Sequence, residues 1–210
     1  GKSAAYLVPA IRWASRKGKR VAVSTYTRAL QEQLVRNDLP LLQRALAGDG
    51  ISFRYALLMG GDNYLCVQRL HQAQEEGPRL FGDAGEREQL ERLVAWARKA
   101  EGGLRSDLPV AVDQALWDLI KRDGDICLGP RGRFWDACLY RKALQRARQA
   151  QVVVLNHALF FANLAAGEAL LPPFDALVFD EAHMIEKAAT DFLGLKLSNL
   201  ALKRVADEAW

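Results

Sequence analysis

Only three cysteines and two methionines occur in these 210 residues, and no long apolar run is uninterrupted. Each scarcity excludes something. An odd, widely spread set of cysteines argues against a secreted disulfide framework. The most apolar stretch, Ala158 to Phe174, is broken by Asn163, Glu168 and the pair Pro172-Pro173, so it cannot span a bilayer. No signal peptide is recognisable at the start. The chain is therefore expected to be cytoplasmic, with no membrane partner. Low-complexity segments and internal repeats are lacking as well. What is present is ordinary for a folded domain, 50% hydrophobic and 26% charged. At this length a core can stand without disulfide staples.

Charge is unevenly spread. Lys and Arg number 29 against 25 Asp and Glu, a formal net charge of +4, which permits a nucleic-acid partner without demanding one. Between Lys121 and Ala150, eight basic residues stand against Asp123, Asp125 and Asp136, a surplus larger than that of the whole chain. Such a window is either a solvated basic face or a phosphate-contacting surface. Arg131, Arg133 and Arg141 are its candidates for the second role. Phe134, Trp135 and Tyr140 lie among these arginines, where aromatics either stack on unpaired bases or fill a small core. Packing is the expectation for Phe134 and Trp135, while Tyr140 stays among the nucleic-acid candidates.

The texture of the chain changes twice. Ala4 to Ser15 has a helical pattern, RVAVST from Arg20 to Thr25 reads as a β-branched strand, and Tyr26 to Val35 as a helix that Asp38-Leu39-Pro40 helps to end. Phe53 to Met59 is a second strand candidate. From Gly60 to Gln149 no convincing strand occurs. Amphipathic stretches there (Glu86 to Ala100, Val112 to Arg122, Cys138 to Arg148) are joined by Gly-, Pro- and Asp-rich loops. Strand texture returns at Val152 to Leu155, followed by a helix from about Ala158 to Ala166 and a last strand, Ala176 to Phe179. Aliphatic runs flanked by helices are what a parallel sheet covered on both faces requires. The expected fold class is α/β, with a mostly helical insertion.

Two motifs carry chemistry. Gly1-Lys2-Ser3 matches the end of a phosphate-binding loop, in which backbone N–H groups cradle phosphate, the Lys reaches β/γ oxygens and the Ser hydroxyl ligates Mg²⁺. Asp180-Glu181-Ala182-His183 follows an apolar strand, which puts both carboxylates at the carboxyl edge of the sheet, where open α/β folds bind ligands. An Asp there can hold the Mg²⁺ of a nucleotide, and the adjacent Glu can deprotonate the attacking water. The bland alternatives are a stray terminal triplet and an acidic helix cap.

The ordered set Gly-Lys-Ser, VAVSTYTRALQEQL, GGDNYLC, CLGPRGRFWDACLY, VVVLNHALF and LVFDEAH resembles the DinG-type DNA helicases, XPD-like members of superfamily two. The resemblance runs from Gly1 to about His183. It implies a RecA-like P-loop NTPase parallel sheet with an inserted, mostly helical iron–sulfur domain. On that basis residues 1–60 and 151–184 are the two parts of the motor domain, 61–150 the insertion, and 185–210 the start of an arch-type helical domain. It implies ATP-driven unwinding of 5′→3′ polarity on single-stranded and forked duplex DNA. Gly1, Lys2 and Ser3 would bind the nucleotide, Ser3 and Asp180 the Mg²⁺, and Glu181 would be the general base. His183 would couple hydrolysis to strand movement. Ser24-Thr25-Tyr26-Thr27-Arg28 matches the family's strand-contacting segment, with Thr25 and Arg28 the contact candidates, and helix capping by Ser24 or Thr25 is the plainer explanation. His157 falls at a family position to which no catalytic role is assigned.

The resemblance also assigns the cysteines. Cys66, Cys127 and Cys138 match three ligands of a [4Fe–4S] cluster, which wants four thiolates. The remaining family ligand falls five residues after Cys127 and six before Cys138, at Gly132. Two outcomes stay open: a cluster on three thiolates with an open or exogenous fourth position, or a vestigial insertion that kept its fold and lost its metal. His71 is a conceivable substitute ligand, for iron or for zinc, although a lone histidine near a cysteine is more often structural.

The glycines that precede Gly-Lys-Ser in the family, and the second RecA-like domain that supplies its arginine finger, do not occur in this sequence. The chain is accordingly expected to be a fragment that turns over little ATP alone. The competing class is a DinG-like nucleic-acid- or protein-binding module with no unwinding of its own.

Overall fold

The computed structural model describes residues 2–80 and 84–193; Gly1 and the greater part of the segment expected to begin an arch domain lie outside the described residues. Helix α1 (Lys2–Lys17) leads into β1 (Val21–Thr25), and after two further helices comes β2 (Tyr55–Leu57). Strands β3 (Val152–Asn156) and β4 (Ala176–Phe179) follow the long helical stretch. They form one sheet in the order β2-β3-β1-β4, parallel throughout. Val21 stands opposite Val152 on one side and Ala176 on the other.

Alternation along the strands explains the two cores. Val21, Val23, Val152 and Val154 face a cluster with Leu7, Ile11 and Leu39. Ala22, Val153 and Leu155 point the opposite way, against Ala143, Ala147 and Phe160. In α1 the buried positions Leu7, Ile11 and Ala14 recur at i, i+4 and i+7, the stripe a helix needs to lie on a sheet. Strand β1 is buried at all five positions, whereas every residue of β4, at the sheet's edge, is half-buried.

One expected helix end is corrected. Helix α2 (Arg28–Gln33) does not stop before Pro40 but passes through a π-helical turn, Leu34–Asp38, into α3 (Leu39–Ala47). Pro40 lies in the first turn of α3, directly after the π-helical turn, where the regular i→i−4 bonding is already interrupted and a residue without an N–H is tolerated.

Between β2 and β3 the chain is mainly helical: α4 (Val67–Leu80), α5 (Ala84–Ala97), α6 (Gln114–Ile120) and α7 (Leu139–Gln149). The first of these went unanticipated, because VQRLHQAQEEGPRL offers few apolar positions and contains a Gly-Pro pair. The helices share a third core built on Leu65, Leu70, Leu93, Trp117, Ile120 and Leu139. Helix α7 joins it to the sheet, since Leu139 belongs to this core while Ala143 and Ala147 belong to the sheet's. Single bridges, Tyr64 with Leu104 and Leu65 with Lys121, pin the start of the segment. No Cβ would fit at Gly103, whose Cα lies against the Leu139 side chain.

Leu70 is fully buried in this third core, so Leu70→Ala is expected to cost about 2–5 kcal/mol, read as a lowered denaturation midpoint. Among the described residues no helix is long and apolar enough to cross a membrane.

Candidate functional site

Strand β4 delivers Asp180 and Glu181 to the carboxyl edge of the sheet beside the end of β1, where the Asp180 N–H donates to the Ser24 carbonyl at 2.8 Å. Lys2, at the start of α1, reaches across to both carboxylates. Its Nζ lies 2.7 Å from Glu181 Oε1 and 3.1 Å from Asp180 Oδ1. Those bonds, Glu181's first and Asp180's second, hold the ammonium above its ordinary pKa. Asp180 is buried, Glu181 half-buried and Lys2 exposed. The cation therefore meets an acidic pair at the mouth of the sheet, with Ser3 next along the same helix turn.

Two features of the pair were not anticipated. The Tyr6 hydroxyl donates to Asp180 Oδ2 at 3.3 Å, so both Asp180 oxygens have partners within the protein. Burial first, and the Asp180 charge second, keep the Tyr6 phenol protonated well above the usual tyrosine range. Glu181 also has left-handed backbone, φ 56° and ψ 47°, a conformation that costs a non-glycine residue about 1 kcal/mol or more. His183 Nδ1 stands 3.5 Å from the second Glu181 oxygen and is exposed.

The strand-contact candidates are used differently from one another. Thr25 is buried and its hydroxyl donates to the Thr27 carbonyl at 3.2 Å, so it does not offer that hydroxyl to solvent. Helix capping falls to Thr27, which accepts from the Leu30 N–H, and not to Ser24 or Thr25. Ser24 is buried too, 2.6 Å from His157 Nδ1. Arg28 is exposed and donates to Asn63 at 2.6 Å.

Much of the basic window is engaged within the molecule. Arg141 pairs with Asp136 at 2.7 Å and lies over the Trp135 ring. Arg122 covers Tyr140 at 4.4 Å from its centroid, and Tyr140 packs edge-on against the buried Tyr64. Tyr140 is therefore held between protein groups and apart from a free stacking position. Lys142 and Arg146 donate to the carbonyls of Ala100 and Glu101. Arg131 and Arg133 are exposed, and the latter lies over Phe134.

The three cysteines come together. Cys66, Cys127 and Cys138 line one cavity of about 210 Å³, and Gly132, Phe134 and Trp135 line it with them. Cys66 is placed by its N–H bond to the Ile120 carbonyl at 2.8 Å. Burial first, with the other two thiols adding, raises its pKa. Among the described residues no three His, Cys, Asp or Glu side chains converge closely enough for a single metal ion. The cavity thus offers three thiols spaced around a void, and no donor at Gly132. His71 is stacked on Phe134, ring centroids 4.5 Å apart and nearly parallel, and does not line the cavity.

No protein-family model matches the chain. Curated relatives do. Across 99% of its length the chain is 36% identical to an ATP-dependent DNA helicase named YoaA from Escherichia coli strain K12. Across 98% it is 37% identical to an ATP-dependent helicase named DinG from Mycobacterium tuberculosis strain H37Rv. The chain is similar along nearly its whole length to proteins named DinG and YoaA. A more distant one, named 3′-5′ exonuclease DinG, from Bacillus subtilis strain 168, is 29% identical over 96% of the chain. The chain spans 32% and 33% of the length of the first two proteins and 21% of the third.

Proposed function

We propose that this chain is the nucleotide-binding motor segment of an ATP-dependent DNA helicase. The observation that carries the proposal is Lys2 bridging Asp180 and Glu181 at the carboxyl edge of a parallel sheet, in a chain similar along its length to proteins named as helicases. Without nucleotide the ammonium is held by two carboxylates. ATP brings phosphate oxygens that compete for Lys2 and Gly1, and its Mg²⁺ would be held by Ser3 and Asp180. Glu181, released from Lys2, accepts a proton from the water that attacks the γ-phosphorus, and the bond from that phosphorus to the β–γ bridging oxygen breaks. His183 touches the same carboxylate and would sense its state.

The reading extends to single-stranded and forked DNA, 5′→3′ movement and a cytoplasmic location. It places 1–60 and 151–184 in a RecA-like domain, 61–150 in an iron–sulfur-type insertion and 185 onward in an arch-type domain, with a second RecA-like domain in the same protein. Cys66, Cys127 and Cys138 are the residues that would hold the cluster, and a bound cluster would tie three segments of the insertion together. The separate helical core and the shared cysteine cavity support that assignment.

Exposed Arg131 and Arg133 supply the phosphate contacts, with Arg28 beside the sheet. Single-strand affinity should then fall steeply with salt and be nearly indifferent to sequence. Arg131→Glu with Arg133→Glu is expected to weaken oligothymidylate binding at least about tenfold and to flatten the slope of log K on log salt by about 2. Arg141, already neutralised by Asp136, should contribute less when reversed. Unchanged affinity and slope in a titration from low to physiological salt would mean that the window is only a solvated face.

A further inference from the structure

His157 is the first residue of helix α8 (His157–Ala165) and is fully buried. It stands between the two parts of the motor that have to communicate. Its Nδ1 is 2.6 Å from Ser24 Oγ, and Ser24 in turn accepts the Asp180 N–H on its carbonyl. Its ring lies 6.2 Å from Tyr26, within the strand-contacting segment, and 5.5 Å edge-on from Phe179, the residue before Asp180. The Nε2 atom is buried with no hydrogen-bond partner.

We propose that His157 is a positioning residue coupling the Ser24–Arg28 segment to the Asp180–Glu181 pair, so that a single strand held by that segment sets the rate of ATP hydrolysis. The neutral imidazole has one N–H and one lone pair. Whichever of these serves Ser24, the other remains at Nε2. Burial favours the neutral ring, against the opposing pull of the Asp180 and Glu181 backbone and carboxylates. A strand phosphate held at the exposed Thr27–Arg28 end of the segment shifts Tyr26 against the ring, and the ring bears on the Asp180–Glu181 backbone that it already faces. The general base is then held in its left-handed conformation at the place where the water must be met. The link consists of one hydrogen bond and two ring contacts over a few ångströms, with no longer pathway required.

The inference rests on the helicase reading above, and its test separates the two. In the full-length protein, steady-state ATP hydrolysis is measured with and without oligothymidylate for wild type, His157→Asn and His157→Gln. Asn keeps an amide near the Nδ1 position and Gln keeps one near Nε2, so each preserves only half of the link. Both are expected to retain basal kcat within about twofold, and KM for ATP and Kd for the oligonucleotide within about threefold. Stimulation by the strand should drop at least about fivefold, the lower range of a typical coupling between sites. A structural role alone predicts something else: basal and stimulated rates would fall by the same factor, in step with a lowered melting temperature. That result, or stimulation left intact in both variants, overturns the proposal. If wild type hydrolyses ATP without any response to the strand, the helicase reading fails first and takes this inference with it.

Discussion

Glu181→Gln in the full-length protein is expected to reduce ATP turnover by about 10²–10⁴-fold, the usual worth of a positioned general base. Nucleotide affinity should stay within a few-fold of wild type, because Lys2 and the phosphate loop remain. The amide cannot take the proton of the attacking water, yet it has nearly the shape of the carboxylate and can still accept from Lys2. The substitution removes one of the two carboxylates competing for the ammonium, so ATP affinity should rise if it moves at all. Lys2→Ala should behave in the opposite sense, losing affinity together with rate. Fluorescent-nucleotide binding alongside phosphate release distinguishes them. Loss of binding in Glu181→Gln would mean that the glutamate holds the nucleotide and leaves the water to another group.

Gly132→Cys is expected to raise iron content in protein purified without oxygen and to slow its loss in air. The position lines the same cavity as Cys66, Cys127 and Cys138, and a cluster held by three thiolates has one iron corner open to attack. The backbone accepts the change: φ is −78° and ψ is 138°, ordinary extended geometry for any residue. Space is tighter, since a Cβ would meet the Gly129 carbonyl oxygen and Leu128 Cβ, both at 3.3 Å. Leu128 is exposed, as is Ile126 beside it, so the loop can yield a few tenths of an ångström outward. Iron near zero in both proteins would show that Phe134 and Trp135 already serve as the core and that the insertion is vestigial. Iron-replete wild type that is stable in air would contradict the open corner and make Asp123, which lines the cavity where His71 does not, the ligand to test.

The sheet was legible because its strands are aliphatic runs with little competition: Val152 to Leu155 and Ala176 to Phe179 read as strands from their sequence and form them. The acidic pair was legible for the same reason, since a carboxylate doublet directly after a buried strand has one natural place in a parallel sheet. Helix α4 was not, because its core contacts, Leu70 and Ala73 among them, come from partners distant in sequence. Long-range pairing also hid Tyr6 on Asp180 and the Ser24–His157 bond, which joins residues 133 apart. The burial of Thr25, inside the strand at the middle of the sheet, has a similar origin, whereas Arg141 meets Asp136 only five residues away, through the local fold of the loop. A sequence displays a hydroxyl or a guanidinium but not the carbonyl or carboxylate that consumes it. Proline at 40 deceived for a local reason, as a π-helical turn carries the chain past it without ending the helical run.

The central claim is that Lys2, Asp180 and Glu181 form a strand-responsive ATP-hydrolysing site. Phosphate release by the full-length protein, with Mg²⁺-ATP and with or without oligothymidylate, tests it most directly. The account predicts hydrolysis that rises at least about tenfold with the strand and disappears in Glu181→Gln. Hydrolysis that survives Glu181→Gln, or its absence in wild type under both conditions, would contradict it.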